Sequence, residues 1–152
     1  MTPIRQILVP VDFSEPSRDA LDRAAELGKA FGAKLDVLHV WEAPVFLPAG
    51  TLAASSADHS LVDAVRRHAE DSLDRFVEDA AKRGIEIRTP RALPGAPAQT
   101  IVETAETGGY DLVVIGTHGR TGLARALIGS VAERVVRHAP CPVLAVRNVP
   151  KA

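Results

Sequence analysis

Short apolar runs alternate along this chain with longer segments of helical periodicity. Ile4 to Val11 is almost wholly apolar and stops at Asp12-Phe13-Ser14. A continuous run of this kind predicts a strand buried on both faces, as in a parallel sheet. Ser14 suits a helix N-cap, with Glu15 favourable against the dipole and Pro16 tolerated in the first turn. Leu21, Ala24, Ala25, Gly28 and Phe31 recur at helical spacing, which predicts a helix over 15–31 that Gly32 ends. Leu35 to Trp41 reads as a second strand. Glu42 to Asp58 carries two prolines, a glycine and many small residues, and is expected to be a loop. Asp58 or Ser60 can cap the next helix. Its apolar stripe runs through Val62, Val65, Ala69, Leu73, Phe76, Val77 and Ala80, and Gly84 ends it.

Ile85 to Leu93 is expected to be a third strand. Apolar and charged residues alternate at Ile85-Glu86-Ile87-Arg88, and Pro90 lacks a ladder donor, so an edge position is predicted. A turn over Pro94 to Pro97 leads into a short helix with Ile101, Val102 and Ala105 inward, stopped by Gly108-Gly109. Asp111 to Gly116 is the fourth strand. Thr117 to Ile128 is rich in glycine and basic residues. Ser130 to His138 is a fourth helix, and Val143 to Arg147 a last short strand. Five strands separated by helices predict the α/β class. The expected architecture is a single doubly wound domain over 1–152, with a five-stranded parallel sheet and helices on both faces.

Composition narrows the function classes. At 152 residues, 46% hydrophobic and 24% charged, the chain is of globular type, not a disordered or fibrous sequence. A net charge of −1 disfavours bulk electrostatic binding to nucleic acid or an anionic membrane. With 4% aromatic residues, base-stacking platforms are not expected either. Cys141 is the single cysteine, which excludes an intrachain disulfide and fits a reducing compartment. It lies between Pro140 and Pro142 with no base beside it, and reads as a small buried hydrophobe. Pro10 and Asp12 cut the first apolar run too short for a signal-peptide core, and no window holds the roughly 18 apolar residues of a membrane span. The expectation is a soluble, cytoplasmic protein.

In open parallel sheets, ligands bind at the carboxyl ends of strands where the strand order reverses. Three segments stand at such ends: Pro10-Val11-Asp12, Val40-Trp41, and Gly116 to Ser130. The last reads Gly116-Thr117-His118-Gly119-Arg120-Thr121-Gly122, and then Gly129-Ser130-Val131 opens a helix. Gly116 and Gly119 permit sharp turns and close approach to a ligand. Gly129-Ser130 is expected to present free amides at a helix N-terminus. Arg120, Arg125, Arg134 and Arg137 face Glu133 as the one acid between Gly116 and His138. Phosphate is the group that suits such a site. The segment is neither a Walker A loop nor a Gly-x-Gly-x-x-Gly fingerprint, and its glycines also read as a tight turn and a helix start.

The spacing Gly116-x2-Gly119-x9-Gly129-Ser130 resembles the nucleotide-binding signature of the universal stress protein family, in its ATP-binding branch. Ile7 to Ser14 looks like that family's first strand and turn. Leu38-His39-Val40 looks like its second-strand end, and Pro142 to Val146 like its last strand. The resemblance implies strand order three-two-one-four-five. It places Pro10, Val11 and Asp12 on the adenosine side, with Asp12 near the ribose or the metal-bound phosphates. Val40 would meet adenine through its backbone. Gly116, Thr117, His118, Gly119, Arg120, Thr121 and Gly122 would wrap the ribose and phosphates, and Gly129, Ser130 and Val131 would hold the phosphate tail. The implied ligand is ATP with a divalent metal, Mg or Mn, bridged by phosphates, in a stress-response role where the nucleotide regulates conformation or partner association.

Several residues keep a second reading. Asp12 is a ligand contact, a metal ligand or a helix-capping residue ahead of Ser14. His118 is a proton-transfer group, a metal ligand or a polar loop contact, and Arg120 a phosphate clamp or a solvated arginine. Trp41 packs near the pocket rim or stacks on adenine. A slow ATP hydrolase or phosphotransferase is the first alternative, although no general base or carboxylate pair accompanies the loop, so no residue is assigned as catalytic. A partner-binding module with an empty crevice is the second. The apolar run Val143 to Val146 at the expected sheet edge predicts a homodimer through that strand, as the resemblance also implies.

Overall fold

The structure, a computed structural model, describes residues 2–44, 56–118 and 128–147. In chain order its elements are β1 (Gln6–Pro10), α1 (Glu15–Phe31), β2 (Lys34–Trp41), α2 (Ser56–Lys82), β3 (Thr89–Pro94), α3 (Pro97–Thr107), β4 (Leu112–Gly116), α4 (Ser130–His138) and β5 (Val143–Val146). The strands form one parallel sheet in the order β3-β2-β1-β4-β5. This is the doubly wound α/β architecture expected from the alternation.

Side-chain alternation on the strands builds two cores. Ile7, Val9, Leu35, Val37, Leu112 and Val114 face α1 and α2, where Leu21, Ala24, Leu73 and Phe76 meet them. Leu8, Leu38, Val113 and Ile115 face the other way, against Ile101 and Ala105 of α3 and Ala132 and Val135 of α4. Both faces of the central strands are therefore buried, which is why their sequences are continuous apolar runs. Cys141 packs at the border of the second core, and burial, with the Asp111 charge, pushes its thiol pKa up.

The largest departures from the sequence reading are at two boundaries. β3 begins at Thr89, not at Ile85. The Ile85 amide bonds back to the Ala80 carbonyl and closes the end of α2, and the Arg88 amide makes the first contact with Leu35 on β2. Ile85 and Ile87 still pack against the first core, so the alternation records burial without a ladder. β3 is an edge strand and Pro90 lies within it, as the missing donor predicts. α2 begins at Ser56, ahead of both expected caps. α1 matches its reading closely: the Ser14 hydroxyl accepts from the Ser17 amide, and Gly32 ends the helix at φ 67°.

Candidate functional site

The carboxyl ends of β1, β2 and β4 open into a cleft of about 1010 Å³. It lies over the boundary between β1 and β4, where the strand order reverses. Ten of the fourteen candidate residues are described, and all ten line it: Pro10, Val11, Asp12, Val40, Gly116, Thr117, His118, Gly129, Ser130 and Val131. Gly119, Arg120, Thr121 and Gly122 lie outside the described residues.

One wall is the turn after β1. The Val11 amide donates to the Leu38 carbonyl at 2.8 Å, and His39 Nδ1 lies 2.9 Å from the Val11 carbonyl. Asp12 Oδ1 accepts from the Ser14 amide at 3.0 Å and from the Ser14 hydroxyl. Asp12 therefore stands in the cleft wall and braces the α1 cap at the same time. Between them Phe13 has φ 66°, a left-handed conformation that side chains adopt at a cost.

The facing wall is the junction of β4 with α4. The Thr117 amide donates to the Val146 carbonyl, and the Thr117 carbonyl accepts from the Gly129 amide. This corrects one expectation: the Gly129 amide is not free, because α4 closes back onto the end of β4. A Cβ at Gly129 would stand 2.9 Å from the Thr117 carbonyl oxygen, and one at Gly116 2.8 Å from the Pro16 carbonyl oxygen. Both glycines are thus required by backbone packing within the protein, whatever else they permit. The first-turn amides of Ser130, Val131 and Ala132 have no acceptor within the helix. Gly129 supplies no side-chain cap to them. Deeper in the wall, His118 Nδ1 lies 2.9 Å from the Thr117 hydroxyl, while His118 Nε2 is buried with no partner among the described residues.

The universal stress protein family profile matches residues 3–147. The chain belongs to that family. A universal stress protein of Methanocaldococcus jannaschii is 36% identical over 147 residues, covering 97% of this chain and 84% of the relative. The solved structure of a universal stress protein from Lactobacillus plantarum superposes with a TM-score of 0.79 at 30% identity, covering 97% of this chain and 100% of that one. A universal stress protein from Archaeoglobus fulgidus, solved in complex with dAMP, gives a TM-score of 0.59 at 26% identity over 95% of this chain and 98% of its own.

Universal stress protein membership does not by itself reveal the third wall, which sequence reasoning passed over. Ala96 to Gln99 at the start of α3, Glu103, and His138 on α4 all line the cleft, together with Arg134, one of the four arginines already singled out in the sequence. The signal for the first of these was present, since Pro94 to Pro97 follows a strand as the other site segments do, yet it reads as an ordinary turn. Trp41, in contrast, is 8% exposed and stands outside the cleft wall, with its carbonyl accepting from the Gly95 amide.

Proposed function

We propose that this chain binds an adenine nucleotide in the β1/β4 cleft. ATP, with a divalent cation bridged by its phosphates, is the ligand of this reading, and occupancy regulates conformation or partner association in a stress response. The observation that carries it is the composition of one cleft. Val40, Pro97, Ala98 and Ile101 offer an apolar wall for a base, and the uncapped first turn of α4 offers amides and the Ser130 hydroxyl for phosphate. The dAMP complex of the Archaeoglobus relative supports an adenine nucleotide. The Gly116-x2-Gly119-x9-Gly129-Ser130 signature supports the ATP-binding branch.

Among the described residues no group of three His, Cys, Asp or Glu side chains could hold a metal ion. The cleft-lining carboxylates among the described residues are Asp12, Glu42 and Glu103, and they do not gather into a ligand group, so the cation of this reading rides on phosphate oxygens. Mass spectrometry of small molecules released from the purified protein, followed by calorimetry with ATP, AMP and GTP, tests the reading. Retained adenine nucleotide and at least tenfold weaker GTP are expected. No heat with millimolar ATP overturns it.

The same proposal extends to a cytoplasmic homodimer, in line with the single cysteine and the apolar last strand. Among the described residues no helix is long and apolar enough to cross a membrane. β5 is the edge strand beside β4, with Leu144 36% exposed and Val136 of the adjoining α4 48% exposed. Pairing with its copy would satisfy that edge. Light scattering should give a dimer mass that Leu144→Pro or Val146→Asp halves. A concentration-independent monomer mass across the micromolar range removes the dimer and leaves the nucleotide reading standing.

A further inference from the structure

We infer that His39 is a positioning residue for the candidate site, holding Asp12 at the cleft through the Val11 carbonyl and the Phe13 ring; this rests on the nucleotide reading only for its binding arm. The β1–β2 ladder ends at the pair Pro10 and Leu38, and the Val11 amide makes one further bond to Leu38. The Val11 carbonyl is then taken by a side chain, His39 Nδ1 at 2.9 Å. A carbonyl only accepts, so the ring carries its proton on Nδ1. The same imidazole packs on Phe13, with centroids 4.3 Å apart, and Phe13 also meets Phe76 at 5.7 Å. Phe13 is the one described non-glycine residue with positive φ, and such a conformation persists only where its surroundings over-determine it. His39 thus grips the chain on both sides of Asp12, at the Val11 carbonyl before it and at the Phe13 ring after it. Asp12 then completes the turn by accepting from the Ser14 amide. Released from His39, the turn is free to relax out of its left-handed form and carry the Asp12 carboxylate away from the cleft.

The isosteric pair His39→Asn and His39→Gln separates this role from general packing. An asparagine amide places its donor where Nδ1 stands, and a glutamine amide places it where Nε2 stands. His39→Asn should bind ATP within about threefold of the native protein, and His39→Gln on the order of tenfold more weakly. In an Asp12→Ala background the two variants should bind alike, since there is no carboxylate left to position. Equal affinities of His39→Asn and His39→Gln, or an undiminished difference in the Asp12→Ala background, overturn the inference. Imidazole nitrogen NMR of the ligand-free native protein gives a second arm, in which His39 should be protonated at Nδ1. A ring protonated at Nε2 alone overturns the inference whatever ATP does. Native protein that binds no ATP removes the nucleotide reading instead. The decision then passes to the ligand-free amide signals of Asp12 to Ser14, which should move further in His39→Gln than in His39→Asn, since both lose the ring on Phe13 but only the glutamine variant loses the bond to Val11; equal displacement in both overturns it.

Discussion

The two ends of the sheet treat polar groups in opposite ways. At the amino end, Asp36 on β2 is 2% exposed yet fully engaged. Arg88 grips it with two nitrogens, one at 2.9 Å, and the Tyr110 hydroxyl donates to it at 2.7 Å. Arg91 donates in turn to the Tyr110 oxygen, and Arg88 reaches Gln6 on β1. Burial alone would raise the Asp36 carboxyl, but hydrogen bonds from Arg88 and Tyr110 and the Arg88 charge outweigh it and hold its pKa below the ordinary value. Burial and the bond to Asp36 push the Tyr110 hydroxyl up, so it stays a donor. At the carboxyl end the first turn of α4 lacks a side-chain cap, and His118 Nε2 lacks a partner among the described residues. Buried polar groups are normally paired. Arg91 Nε is the one nitrogen of the amino-end network left buried without a partner among the described residues, while the carboxylate at its centre is fully paired. That end ties strands together, and the end with an uncapped first turn is the one suited to a ligand.

That contrast breaks first, if it breaks, at Asp36. Asp36→Ala leaves Arg88 and Tyr110 without their acceptor and should cost about 3 kcal/mol of stability in urea denaturation, with ATP affinity changed less than twofold. A parallel loss of affinity would mean that the two ends are not independent. The pH profile follows from the lowered carboxyl. Its folded pKa lies below its unfolded one, so its stabilisation is fully present above the unfolded value near 4 and is lost as pH falls through the folded value. Urea titrations from pH 6 down to pH 2 should show this acid loss, and Asp36→Asn should flatten it.

Smaller effects sharpen the carboxyl end. Gly129→Val and Gly116→Val force a Cβ against a backbone oxygen and should each cost about 2 kcal/mol of folding stability, read by the same denaturation. Native stability in both variants would show that the glycines answer to a ligand alone. Chelation of divalent metal should weaken ATP at least tenfold, about 1.4 kcal/mol, and leave adenosine unchanged in calorimetry. Equal effects on both ligands would make the metal incidental. Ser14→Ala removes the α1 cap and the hydroxyl that meets Asp12, and a loss of about 1 kcal/mol is expected from thermal unfolding. A smaller loss, under 0.3 kcal/mol, would show that the turn is held without the Ser14 hydroxyl.

Much of this was legible in the chain itself. Runs such as Ile7-Leu8-Val9 and Val113-Val114-Ile115 announce strands buried on both faces, and Ser14, Pro16 and Gly32 mark the ends of α1 through local backbone chemistry. The rule of carboxyl strand ends, applied to those strands, brought together every described candidate residue in one cleft. Other features depend on partners distant in sequence. Ile85 and Ile87 alternate like a strand because they fill a core, and only their neighbours show that no ladder forms there. Gly129 looks like a phosphate cradle until the Thr117 carbonyl is found on its amide.

Periodicity, propensity and capping act over a few residues, so the chain alone settled the class, the order of the elements and both caps of α1. The tertiary structure decided which polar groups are already satisfied and which are left over. Asp36, Arg88 and Tyr110 are separated by up to 74 residues, and the sheet pairs Ile7 with Leu112, so no local pattern encodes such a meeting. His39 carries the same lesson: an ordinary residue within β2, it takes its role from a carbonyl 28 residues earlier that only the parallel pairing of β1 and β2 puts within reach.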